Sequence, residues 1–154
     1  MTTQAKSFEF PVSVHWVGRR RTIASVDGKR DLEVATPPEF KGGVEGVWSP
    51  EDLLVGSIGT CFAVTLVAIA ERRDVPLHGL DVAARGRVTQ RHDGRTGFVE
   101  ATLHVSLLTD PGREEEAIAA AEAAERGCLV AASLDFPVRL MLDVRTSEAV
   151  GAVR

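Results

Sequence analysis

The chain is poor in the residues that mark several common protein classes. Its 154 residues contain only two cysteines, Cys61 and Cys128. That is too few for a disulfide framework or a four-cysteine zinc site, and no Cys-x-x-Cys spacing occurs. The four histidines, His15, His78, His92 and His104, show no ligand-like spacing. No metal or cofactor is expected. Basic charge is not in excess: the net charge is −4, which argues against a nucleic-acid or anionic-membrane binder. The triplet Arg19, Arg20, Arg21 is the one local exception. The opening MTTQAKSFEF has no apolar core, so no secretory signal is predicted and a cytoplasmic protein is expected. There is no internal repeat, linker or low-complexity tract, and the length suits one domain.

What is present is ordinary globular composition, with 44% hydrophobic and 26% charged residues. Residues 53–70, LLVGSIGTCFAVTLVAIA, carry no charge. Such a run is just long enough to cross a membrane. Its Gly, Ser and Thr content and its setting among alternating strand patterns predict instead a central buried helix. No membrane is expected as a partner. Ser49 is placed to cap that helix, Pro50 to occupy its first turn, and Asp52 to complete an approximate capping box. The helix is expected to run to about Arg73. Gly56, Gly59, Thr60 and Ala63 would let another element approach closely. A helix apolar on every side is hard to wrap in so small a domain, so burial of part of it in a homodimer is expected.

Strands are predicted at 8–17, 22–26 and 30–35, with Asp27-Gly28 as a turn. Two alternating segments flank Asp93-Gly94 and read as a hairpin with one buried face: Leu80 to Val88, and Val99 to Leu107. A second helix is predicted from Asp110-Pro111 to Glu125, a short one over 128–134, and a last strand over 136–144. The order predicts an α+β fold with mostly antiparallel pairing.

Cys61 is the residue that needs explaining. A free cysteine in an apolar helix is ordinarily an inert space-filler, and burial alone makes it less acidic. A reactive thiolate needs a nearby cation or helix-end N–H groups. Cys61 lies about 15 Å along the axis from the start of its own helix. An arginine is therefore expected to hold the charge, steadied by Glu51, since a guanidinium can bridge two partners.

The stretch SPEDLLVGSIGTCF, the apolar helix after it, the second cysteine in ERGCLVAASL and the closing strand resemble the OsmC/Ohr family, the osmotically induced and organic hydroperoxide resistance proteins. The resemblance covers roughly residues 12–144, within a single OsmC-like domain over 1–154. It implies an intertwined homodimer and a cysteine-based peroxidase. Cys61 would be the peroxidatic residue, Cys128 the resolving one, and the two would form a disulfide. Glu51 would orient the catalytic arginine, expected to be Arg21, with Arg19 and Arg20 as alternatives. Organic hydroperoxides would be the substrates and a thiol or dithiol the reductant. An apolar pocket of residues such as Phe62, Leu54, Phe40 or Trp48 is expected beside the cysteines. The family usually has Cys-Pro-Val at the second cysteine, whereas this chain has Cys128-Leu129-Val130. Loss of that proline is expected to loosen the start of the short helix.

Other readings remain open. A non-enzymatic dimer binding an apolar small molecule would need no contact between the cysteines. A redox sensor would use the disulfide itself as output. A hydrolase would need a histidine near Cys61, for which only His15 is a candidate.

Overall fold

The computed structural model describes residues 6–147. The chain divides into two compact units, one up to Leu53 and one from Leu54 onward.

The first unit holds a three-stranded antiparallel sheet in the order β1 (Ser13–Gly18), β2 (Arg21–Ser25), β3 (Leu32–Ala35). The predicted first strand began at residue 8, but pairing starts only at Ser13. Pro11, which has no N–H to give to a ladder, lies just before that start. The β1–β2 turn is tight: Gly18 and Arg19 both have positive φ, 110° and 49°. The β2–β3 turn carries the expected Gly28, at φ 73°.

Helix α1 (Pro50–Arg72) begins at the end of this unit and continues through the second. Its start is the reciprocal cap that the sequence suggested. Ser49 Oγ accepts from the Asp52 N–H at 3.0 Å, and Asp52 Oδ2 accepts from the Ser49 N–H at 2.9 Å and its hydroxyl at 2.8 Å. Two orphan donors are thereby satisfied at once.

The second unit has a three-stranded sheet ordered β4 (Gly79–Gln90), β5 (Thr96–Thr109), β6 (Val138–Thr146). The β4–β5 hairpin is antiparallel, as expected. β6 joins β5 in parallel, with Ala101 opposite Val138 and Leu107 opposite Val144. A parallel return needs a crossover, supplied here by α2 (Glu114–Gly127) and α3 (Leu129–Ala132). The fold is thus α+β with one antiparallel and one mixed sheet, every strand pair antiparallel except β5–β6.

α1 lies in the core of this unit. Ile58, Phe62, Leu66, Ile69 and Ala70 cluster with Ala101, Leu103, Val105 and Leu107 of β5. Gly59 permits the close approach: a Cβ there would stand 3.2 Å from that of Ala84. α1 is long and apolar enough to span a membrane by length and composition; these contacts make it the core helix of this unit. Its other stripe, Thr60, Val64, Val67 and Ala68, is exposed. α2 buries an all-alanine face, Ala117, Ala120, Ala121 and Ala124.

α2 starts at Glu114 rather than at Asp110. Gly112 takes a left-handed φ of 81° and Arg113 occupies the N-cap, so the turn must finish before helical pairing begins.

Candidate active site

Cys61 sits in mid-α1 and is half-buried; Cys128 is buried, and both are free thiols. Cys128 ends α2 and is the N-cap of α3, with extended backbone (φ −72°, ψ 108°). Its sulfur accepts from the Ala131 N–H at 3.5 Å, as a serine oxygen would at such a position. The N–H groups of Leu129 and Val130 also lie at this helix start. They act on the Cys61 sulfur, as do the nearby Cys128 thiol and Thr65 hydroxyl.

These contacts set the acidity of the pair in opposite senses. Burial pushes the Cys61 thiol up, but the Val130 N–H, the Cys128 thiol, the Leu129 N–H and the Thr65 hydroxyl together bring it below its ordinary value. Burial pushes Cys128 up, and the neighbouring Cys61 sulfur adds to that. The arrangement therefore favours an anionic Cys61 beside a protonated Cys128 that donates to it.

This stabilisation adds a source that the sequence did not announce. An arginine was expected to hold the charge because the start of α1 is too distant. A different helix start, that of α3, delivers its N–H groups directly to Cys61. Only the tertiary fold creates that meeting. Leu129 belongs to it through its backbone alone, and its side chain is 77% exposed. A proline there would lack the donating N–H. Leu129→Pro is expected to fold, because the first helical position suits proline and Cys128 already has extended backbone. It should raise the Cys61 pKa, so that the rate of iodoacetamide alkylation at neutral pH drops several-fold. The check is the pH dependence of that rate in parent and variant.

The arginine triplet lies in the first unit. Arg21 pairs with Glu33 at 3.0 Å across β2 and β3. Arg20 donates to the Lys41 carbonyl and rests over Gly42. Arg19, in the left-handed region, has its carbonyl bonded by the Trp16 indole at 2.8 Å. The three line an open cavity of about 790 Å³ with Gly42, Gly43 and Val44. Glu51, in the first turn of α1, has a buried Oε2 with no hydrogen-bond partner among the described residues. Glu51 and the triplet are not ion-paired among the described residues. The aromatic candidates also differ in setting. Phe62 is fully buried in the core cluster, since one step along the helix turns it from Cys61 towards the sheet. Phe40 and Trp48 are about half exposed. Sequence reasoning missed Thr65; its spacing of four from Cys61 on a helix was the available signal.

A thiol made more acidic than usual beside a second, less acidic thiol is a candidate dithiol site in an α+β frame. Comparison with known proteins gives the family: residues 43–143 match the family model described as OsmC-like protein, and the chain belongs to that family. A relative is the Bacillus subtilis (strain 168) protein YmaD, 26% identical over 140 residues, 87% of this chain and 91% of YmaD. Among solved structures, an OsmC-like protein of unknown function from Vibrio cholerae superposes with a TM-score of 0.82 at 16% identity, covering 89% of this chain and 100% of that one. An organic hydroperoxide resistance protein from Elizabethkingia anophelis superposes with a TM-score of 0.76 at 21% identity, covering 92% and 100%.

Proposed function

We propose that the protein is a cytoplasmic thiol-dependent peroxidase that reduces organic hydroperoxides. The observation that carries the reading is the closeness of the two free cysteines, Cys61 on α1 and Cys128 at the cap of α3, with Cys61 made more acidic and Cys128 less so. Family membership supports it, as does the likeness to a protein titled for organic hydroperoxide resistance.

The Cys61 thiolate attacks the terminal oxygen of the hydroperoxide. The S–O bond forms, the O–O bond breaks, and alkoxide leaves and takes a proton to become alcohol. Cys61 is then a sulfenic acid. The Cys128 sulfur attacks the Cys61 sulfur, the S–S bond forms, and hydroxide leaves with the Cys128 proton as water. An external thiol or dithiol reduces the disulfide by exchange. In this reading an arginine of the triplet, Arg21 or Arg19, stabilises negative charge on the peroxide oxygens, and Glu51 orients it. The orphan Glu51 oxygen is the kind of group such a guanidinium would satisfy. Because the backbone of α3 already holds the thiolate, the arginine is free to act on the peroxide.

The working form in this reading is a homodimer. Phe8, Phe10, Val12, Val14 and Trp16 alternate along the chain and are all more than half exposed, as is Val64 on α1. A monomer rarely leaves so much large apolar surface in water. A second copy is the partner that the family resemblance implies.

The test is a thiol count. Reduced protein mixed with an alkyl hydroperoxide should lose both thiols for each hydroperoxide consumed and yield a Cys61–Cys128 disulfide peptide by mass spectrometry. Excess dithiol should restore the thiols and allow repeated turnover. Thiols that survive a molar excess of hydroperoxide would defeat the reading. A disulfide that forms without repeated turnover would favour the redox sensor instead.

A further inference from the structure

The β4–β5 hairpin overshoots its own sheet. β6 begins at Val138, opposite Ala101, so Thr96 to Glu100 of β5 have no β6 partner beside them. Pro137, just before β6, has no N–H with which to extend that ladder. The overhanging arm is tied back by one strut. Arg91, just past β4, reaches both carboxylate oxygens of Asp135 with its two terminal nitrogens, at 2.8 and 3.4 Å. The tip of the arm is fixed as well: Asp93 accepts the Arg95 N–H at 3.0 Å and the Arg95 guanidinium at 2.6 and 2.8 Å. Between the arm and the segment from Asp135 to Pro137 lies a cavity of about 490 Å³. Small-molecule sites have this size. None of the groups that act on either sulfur lines it, so it is separate from the dithiol site.

The lining selects the chemistry of an occupant. Phe98 and Phe136 lie ring to ring in the cavity, with centroids 5.8 Å apart and planes 25° from parallel, and both are half-buried. Half-buried rings beside open space offer a surface for a further flat apolar group. The acidic acceptors in the lining are already spent, Asp135 on Arg91 and Asp93 on Arg95. The donors are not. Arg87 gives only its Nε, to Glu100 at 2.8 Å, and its two terminal nitrogens have no hydrogen-bond partner among the described residues. Arg139 also approaches Glu100, at 4.0 Å, so one carboxylate faces two guanidiniums and positive charge is left over. Spare charged donors suit an anion, since a guanidinium has no acceptor to offer a cation.

We propose that this cavity binds a small aromatic acid, with its ring against Phe98 and Phe136 and its anionic group on the Arg87 guanidinium. Such a site goes beyond the function proposed above and uses neither cysteine.

The experiment compares two probes on the full reduced protein: anilinonaphthalene sulfonate, and phenylnaphthylamine, which has the same rings without the sulfonate. Fluorescence gives the affinities and amide chemical shifts locate the binding. The sulfonate should saturate one site, with shifts gathered at Thr89 to His92, Phe98 and Asp135. Arg87→Ala should weaken it about tenfold, the worth of one hydrogen bond to a charged group, and leave the neutral probe as it was. Arg87 is largely exposed, so its removal should not disturb the fold. Phe136→Leu should weaken both probes; if that variant does not fold, the Arg87 comparison decides alone. The proposal is overturned if the sulfonate does not saturate or if the shifts gather at the exposed stripe of Val14 and Trp16 instead. It is also overturned if Arg87→Ala leaves the sulfonate affinity unchanged or weakens both probes equally. Hydroperoxide consumption is not a readout here, so failure of the peroxidase reading leaves this test intact.

Discussion

Cys61→Ser should bring hydroperoxide consumption down to the background rate of buffer, a loss on the order of a thousandfold or more, as expected when a nucleophile is deleted. The substitution changes little else. Cys61 is half-buried, the serine side chain is close in shape, and α1 is held by Ile58, Phe62, Leu66 and Ile69 on its other face. A serine hydroxyl at this position could still accept the Leu129 and Val130 N–H groups, so α3 should keep its place. It would not ionise near neutral pH, and it has no sulfur to take up oxygen. The measurement is consumption of an alkyl hydroperoxide by reduced parent and variant, with folding checked by thermal denaturation. A variant as fast as the parent would show that Cys61 is not the attacking atom. The pH dependence adds a second check. The Cys61 pKa lies below the ordinary thiol value. The parent rate should therefore rise with pH and level off at a lower pH than a free thiol would, because the thiolate is the reactive form.

Much of the frame behind this result can be read from local chemistry. Ser49, Pro50 and Asp52 announce the start of α1, and the reciprocal bonds are there. Alternation from Leu80 and through Leu107 announces the β4–β5 hairpin, and Ala101, Leu103, Val105 and Leu107 are its buried hydrophobic residues. These signals survive because caps, turns and one-sided burial act over a few residues. The parallel placement of β6 was not legible in the same way. An alternating strand has the same pattern whichever direction its neighbour runs, and here the α2–α3 crossover decides.

The site divides along the same line. Cys61 and Cys128 stand out as residues, but their chemistry depends on which groups the fold brings to them. The acidity of Cys61 comes from N–H groups at the start of α3 and a hydroxyl one turn along α1. Backbone donors carry no residue signature, so a reading built on side chains could not name them. Gly86 is a smaller case of the same kind. A Cβ there would come within 2.6 Å of Phe98 and 2.7 Å of Val55, a packing demand set by side chains far away in sequence.

Cys128→Ser should leave the first reaction intact and cripple the second. The Cys61 sulfur keeps the Leu129 and Val130 N–H groups and the Thr65 hydroxyl, and a serine at 128 can still donate to it and still cap α3. One equivalent of hydroperoxide should be consumed at a rate within several-fold of the parent, leaving a sulfenic acid that dimedone traps at Cys61. Resolution then depends on an external thiol arriving by diffusion. A thiol already in contact has an effective concentration far above any millimolar reductant, since well-oriented internal groups reach on the order of 10⁵ M. Steady-state turnover at millimolar dithiol should therefore drop on the order of a hundredfold. Excess hydroperoxide should also push the unresolved Cys61 on to the sulfinic acid, which dithiol does not reverse. If the variant turns over with dithiol as fast as the parent and yields no dimedone adduct, Cys128 is not the resolving thiol. Its contact with Cys61 would then serve only to donate a hydrogen bond to the anion.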